Sequence, residues 1–197
     1  IDSSEGIVRA AVEALENLNY PMLEEETLKS FIGPPIGGEI IRELGYDEEE
    51  LREFNTEFRY LYKTKYLMDV KIYPGVKECL ERLHNKKFMA VATNKRIDYT
   101  LTLMDNLDLS KYFDMIEGSD FENLVKKYDM IKKCLELSGC NQSEVVVVGD
   151  TVSDALAAED CGLDFIGVTY GFGFKKLEDV PFGCVANTVH SLCKLLL

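Results

Sequence analysis

The stretch Val145-Val146-Val147-Val148-Gly149-Asp150-Thr151-Val152-Ser153-Asp154 sets two carboxylates four residues apart, just past a run of four valines. Such a run reads as a strand buried on both faces, as in a parallel sheet. Gly149 ends it, and Asp150 falls beyond its carboxyl end, where open α/β sheets bind ligands. Asp154 follows at the start of a helical pattern, and one helical turn brings it back toward Asp150. Two carboxylates held together repel unless a cation lies between them. An all-oxygen site with room for water suits Mg²⁺, with Asp150 and Asp154 as metal ligands. The plainer reading makes Asp150 a helix cap, which accounts for one acid and leaves the second unexplained.

Two further stretches carry donors for an anion. Thr93 ends an apolar strand in Val91-Ala92-Thr93-Asn94-Lys95, so it should share the sheet edge with Asp150. Its hydroxyl and the Asn94 backbone N–H at the following turn can hold a phosphoryl oxygen, although Thr93 could equally cap the next helix. Lys127 opens the helix before the valine strand, where an ammonium would offset charge among the carboxylates. Lys126 is adjacent, and surface lysines are commonly just solvated. His84 and His190 have no partner at ligand or triad spacing and read as structural or exposed. Gly171-Phe172-Gly173 is a loop with too few glycines for a nucleotide fingerprint, and there is no Walker loop, G-x-S-x-G or H-E-x-x-H.

The elements that would position these groups fall into two grammars. Residues 1–69 read as helices. Ser3 or Ser4 caps the first, Glu24 to Phe31 forms a second, Glu39 to Leu44 a third, and Asp47 starts a long fourth with an aromatic stripe suited to bundle packing. The Gly33-Pro34-Pro35 segment interrupts them, because two prolines and three glycines between Gly33 and Gly38 cannot be helical throughout. After Val70, helices and strands alternate. The expected order is a helix from Pro74 to His84, a strand Phe88 to Ala92, a helix Ile97 to Leu107 and a strand Phe113 to Glu117. A helix Lys127 to Leu137, the valine strand, a helix Ala155 to Cys161, a strand Phe165 to Val168, a short strand near Val185 and a final helix follow. This is an α/β fold, a doubly wound parallel sheet with a small helical domain. The expected division is 1–70 and 71–197.

The 197 residues and 46% hydrophobic content allow a proper core. A net charge of −13 argues against a nucleic-acid partner. No apolar run is long enough to cross a membrane and no signal peptide opens the chain. Six cysteines without a C-x-x-C pair read as reduced core residues of a cytoplasmic protein.

Taken together, these motifs resemble the haloacid dehalogenase-like superfamily of phosphohydrolases, along essentially the whole chain. Val91-Ala92-Thr93-Asn94-Lys95 is similar to its second motif, Lys127 to its third, and Gly149-Asp150-Thr151-Val152-Ser153-Asp154 to its fourth. Asp2-Ser3-Ser4-Glu5-Gly6 looks like the segment after its first motif. Phe31-Ile32-Gly33-Pro34-Pro35 and Tyr170-Gly171-Phe172-Gly173 are similar to the branch of phosphoglycolate phosphatases and related 5′-nucleotidases. The resemblance implies a Rossmann-like core with a small helical cap, and Mg²⁺ bound by Asp150 with Asp154 nearby. It also implies phosphate held by Thr93, Asn94 and Lys127, and a loop around Gly33 and Pro34 closing over the substrate.

The resemblance further implies a first motif, a strand ending in Asp-x-Asp-Gly-Thr whose first Asp is the nucleophile. Asp2 is no substitute, since neither a strand nor an Asp-x-Asp pattern surrounds it. The nucleophile is therefore expected upstream of Ile1, on a strand between those ending at Thr93 and Asp150. The implied activity is Mg²⁺-dependent hydrolysis of small, phosphoglycolate-like phosphomonoesters through an aspartyl-phosphate. A 5′-nucleotidase, pyrophosphatase or phosphomutase of the same superfamily, or a non-catalytic phosphate- or metal-binding module, stands beside it. The expected partner is a small phosphorylated metabolite, and the expected state a monomer or weak homodimer.

Overall fold

The computed structural model describes residues 1–33, 45–121 and 124–197. The helix expected at Glu39 to Leu44, with Pro34 and Pro35, lies outside the described residues. The chain divides into two units, Ile1–Ile72 and Tyr73–Leu197.

In the first unit, α1 (Ser4–Asn17), α2 (Glu25–Ser30) and α3 (Glu48–Leu61) pack together, and α3 runs on into a π-helical turn at Tyr62–Tyr66. The aromatic stripe forms a ladder through Phe31, Phe54, Phe58 and Tyr62, with ring centroids 5.7 to 6.1 Å apart. Asp47 caps α3 by accepting from the Glu49 and Glu50 N–H groups, while Glu50 accepts from Asp47 N at 2.8 Å. Neither Ser3 nor Ser4 caps α1. Asp2 does so instead, accepting from Ser4 N at 2.9 Å and from its hydroxyl at 2.5 Å, because an antiparallel bridge to Lys71 pins it beside the helix start. Burial opposes that charge, but the Ser4 hydrogen bonds and the Lys71 ammonium hold the Asp2 carboxyl below its usual range.

The second unit alternates helix and strand: α4 (Val76–Leu83), β1 (Ala90–Arg96), α5 (Ile97–Asn106), β2 (Met115–Ser119), α6 (Lys127–Ser138), β3 (Val146–Gly149), α7 (Val152–Asp160), β4 (Asp164–Val168), β5 (Cys184–Ala186) and α8 (Val189–Leu196). Every ladder in it is parallel. Alternate residues of β4 show the double winding. Phe165 packs on Ala155 and Ala158 of α7, whereas Ile166 and Val168 meet Leu192 and Leu196 of α8. Among the described residues no helix is long and apolar enough to cross a membrane.

The strands form two sheets, β1-β2 and β3-β4-β5. Among the described residues β1 and β3 each keep one edge without a ladder partner. The valine strand is thus not buried on both faces: Val147 joins the core, but Val146 and Val148 are 38% and 40% exposed. An edge strand lacks the neighbour whose side chains would shield them. Helix α6 joins the two sheets, since the cluster of Ile131, Ala157, Cys161 and Leu163 takes in Ala92 from β1 and Val147 from β3.

β1 and β2 both start two residues later than the hydrophobic pattern predicts. Just before them, Asp114 N donates to Met89 O and Met89 N donates to the Asp114 carboxylate, outside the ladder, and β1 continues through polar residues to Arg96. Thr93 faces Gly118 and Arg96 faces Ser119, so Asn94 and Lys95 are extra residues of a bulge. Phe165 anchors this unit: it is 1% exposed and packs edge-on to Phe174 and tilted against Phe182. Phe165→Ala is expected to cost about 3–5 kcal/mol, read from the urea midpoint of the second unit's unfolding.

Candidate active site at the end of β3

The turn from β3 to α7 is organised by Asp154. Its Oδ2 accepts from Asp150 N at 3.1 Å, Thr151 N at 2.9 Å and the Thr151 hydroxyl at 2.7 Å. Thr151 is the cap of α7 and accepts in return from Asp154 N at 3.3 Å. The helix thus begins at Val152, three residues before the expected Ala155, and Asp150 is not its cap. Asp154 Oδ1 meets Lys127 Nζ in a close ion pair, with both side chains nearly buried, 10% and 13% exposed. Lys126 is exposed, so of the two adjacent lysines Lys127 is the one that reaches this turn.

Asp154 therefore has both carboxylate oxygens engaged by protein donors. Asp150 is arranged otherwise. Its Oδ2 accepts from Phe172 N at 2.6 Å and its carbonyl from Phe174 N at 2.8 Å. Its Oδ1 takes no protein donor among the described residues. A cation at this turn would find the hard oxygen donors that Mg²⁺ prefers, and Mg²⁺ needs few of them because it retains water. Asp150 fits that demand. Among the described residues there is no group of three or more acidic, His or Cys side chains that could hold a metal ion.

The loop Tyr170-Gly171-Phe172-Gly173 wraps Asp150, a role its sequence did not disclose. A Cβ on Gly171 would stand 2.6 Å from Asp150 Cγ, and one on Gly149 would stand 2.8 Å from Asp154 Oδ2. Only a chain without side chains at these points lets backbone and carboxylate approach so closely. Lys175 Nζ donates to Gly171 O at 2.9 Å and holds the loop from outside.

Thr93 lies on β1 just before the bulge. Its Oγ1 accepts from Lys95 N at 3.2 Å, which leaves its own O–H free to donate. It does not cap α5, which starts at Ile97 without a side-chain cap. Asn94 is half-buried in the bulge. Gly33 belongs to the first unit, at φ 108°, and Pro34 falls outside the described residues. His190 is exposed, and His84 stacks edge-on against Tyr112, so neither histidine enters the turn.

Lys95 is a group the motif reading left without a role. Burial pushes its ammonium down to about 8, from 10.5. Below pH 8 both folded and unfolded chains carry the proton; between 8 and 10.5 only the unfolded chain does. Stability is therefore expected to rise with pH across that window, and Lys95→Met to flatten the rise in a pH series of thermal midpoints. Gly171→Ala is expected to cost about 1–3 kcal/mol in a denaturant titration, since the added methyl must displace Asp150 or the loop.

The family profile described as haloacid dehalogenase-like hydrolase matches residues 1–168. A phosphoglycolate phosphatase from Nitrosospira multiformis is 30% identical, covering 100% of this chain and 90% of that protein. A 5′-nucleotidase from Pseudomonas aeruginosa is 29% identical, covering 87% and 79%. A hydrolase structure of the haloacid dehalogenase-like family, from Streptococcus pneumoniae, superposes with a TM-score of 0.87 at 26% identity, covering 98% of this chain and 92% of that one. With the parallel α/β core and the acidic turn after β3, these likenesses settle the family: the chain belongs to the haloacid dehalogenase-like hydrolases.

Proposed function

We propose that this chain hydrolyses small phosphomonoesters with the help of Mg²⁺. The observation that carries the reading is the turn after β3, where Lys127 is locked to Asp154 while Asp150 keeps one carboxylate oxygen free of donors from the described residues. In this reading Asp150 holds the metal. Asp154 is a positioning residue, fixing both the turn and the Lys127 ammonium. Bound Mg²⁺ would supply positive charge against the phosphoryl oxygens.

Lys127 adds a second positive charge on a short, nearly buried tether, where electrostatic stabilisation is stronger than in water. Thr93 donates its hydroxyl hydrogen to a phosphoryl oxygen, and the Asn94 backbone N–H can add a second bond. The nucleophile is an aspartate that the resemblance places on a strand preceding residue 1, and the unpaired edges of β1 and β3 are where such a strand would join the ladders. The resemblance assigns substrate selection to the first unit, through the loop that begins at Gly33 and Pro34. The named activities of the relatives support a phosphomonoester of a small metabolite, with phosphoglycolate and 5′-nucleotides as the two classes to compare. All six cysteines are free thiols, which supports a cytoplasmic setting.

In the protein carrying its upstream segment, Asp150→Asn is expected to lower Mg²⁺-dependent turnover by about 10³-fold, and Lys127→Met by about 10²-fold. Phosphate release would be followed over a panel containing 2-phosphoglycolate and nucleoside 5′-monophosphates. A wild-type rate in Asp150→Asn would overturn the assignment. Preference within the panel decides between the two substrate classes.

A further inference from the structure

Away from the acidic turn, α4 and α8 meet over a buried cluster formed by Cys79, Leu83, Val189 and Cys193. The two cysteines are distant in sequence, yet the packing of the two helices brings both into this one cluster. Arg82 Nη1 donates to Cys193 Sγ at 3.6 Å. Both cysteines line a pocket of about 270 Å³, shared with Pro74, Glu78, Arg82 and His190, and are themselves only 6% and 4% exposed. Burial, followed by the Cys193 thiol, pushes the Cys79 thiol up to about 12, so Cys79 stays neutral at physiological pH. The Arg82 guanidinium against the Cys193 sulfur marks Cys193 as the attacking member and leaves Cys79 as the resolving one.

We propose that Cys79 and Cys193 form an oxidisable pair, which a hydroperoxide converts into a disulfide joining α4 to α8. The Cys193 sulfur attacks one peroxide oxygen and the O–O bond breaks. With hydrogen peroxide, the departing hydroxide takes up the thiol proton and leaves as water, and Cys193 becomes a sulfenic acid. The Cys79 sulfur then attacks the Cys193 sulfur, an S–S bond forms, and the S–O bond breaks to release a second water with the Cys79 proton. Two thiols lose two electrons in all, and the peroxide gains them. Arg82 supplies a counter-charge for the sulfur that attacks first. The disulfide would close a loop of more than a hundred residues and tie the helix that opens the second unit to the last helix of the chain.

The test treats the native protein with hydrogen peroxide and reads intact mass, a non-reducing peptide map and the thermal midpoint. The expected product has lost two hydrogens, carries a single Cys79–Cys193 cross-link, and melts about 10 °C higher until dithiothreitol reverses the change. Cys79→Ser and Cys193→Ser should each abolish the cross-link. The Cys140→Ser/Cys184→Ser variant, altered only at exposed thiols, should retain it. Gain of oxygen at either sulfur without a cross-link, or a cross-link that disappears in the Cys140→Ser/Cys184→Ser variant, would overturn the proposal.

Discussion

The site depends on how one carboxylate is satisfied. Asp154 is nearly buried, and a buried carboxylate without partners would be too costly to keep ionised. Here four donors compensate it: the Asp150 and Thr151 amides, the Thr151 hydroxyl and the Lys127 ammonium. The same bonds fix three other things. They start α7 at Val152, set the direction in which Asp150 leaves β3, and hold the end of α6 that carries Lys127. Removing one partner from such a pair commonly costs about 3–5 kcal/mol, because the other charge is left stranded. An ion pair of this kind is better understood as a device for placing groups than as a source of net stability.

The second constraint is the division of the sheet. Parallel strands are normally laddered on both sides and covered on both faces. Among the described residues β1 and β3 are each laddered on one edge, and Val146 and Val148 lie half-open where the proposed upstream strand would pair. Helix α6 packs against both the half carrying Thr93 and the half carrying Asp150. Its cluster around Ile131 grips Ala92 and Val147 together, and its first residue supplies the lysine. Packing and chemistry thus converge on one helix.

Much of this was legible in the sequence where the signal was local. The valine run, Gly149 and the i, i+4 acids announced a strand, its end and the turn of a helix. The alternation after Val70 announced the α/β core. Signals that depend on distant partners were not legible. That Asp154 meets Lys127, 27 residues earlier, depends on where that lysine comes to rest. The role of Gly171 depends on Asp150 lying beneath it, and two glycines in a loop carry no mark of that. Polar strand residues such as Thr93 to Arg96 do not look like a strand, so the bulge that holds Asn94 and Lys95 escaped notice. The service of Asp2 to α1 likewise arises from its bridge to the distant Lys71.

The three glycines around the acidic turn bear on how this site can change over evolutionary time. Gly149 lies against Asp154, Gly171 against the Asp150 side chain and Gly173 against the Asp150 carbonyl, all at backbone contact. A wall built from main chain alone has no rotamers and offers no functional group to exchange. Substitution there cannot retune the chemistry of the acids; it can only change the thickness of the wall and so shift the acids bodily. Variation in what the protein binds therefore has to be accommodated elsewhere, while this turn acts as a fixed gauge.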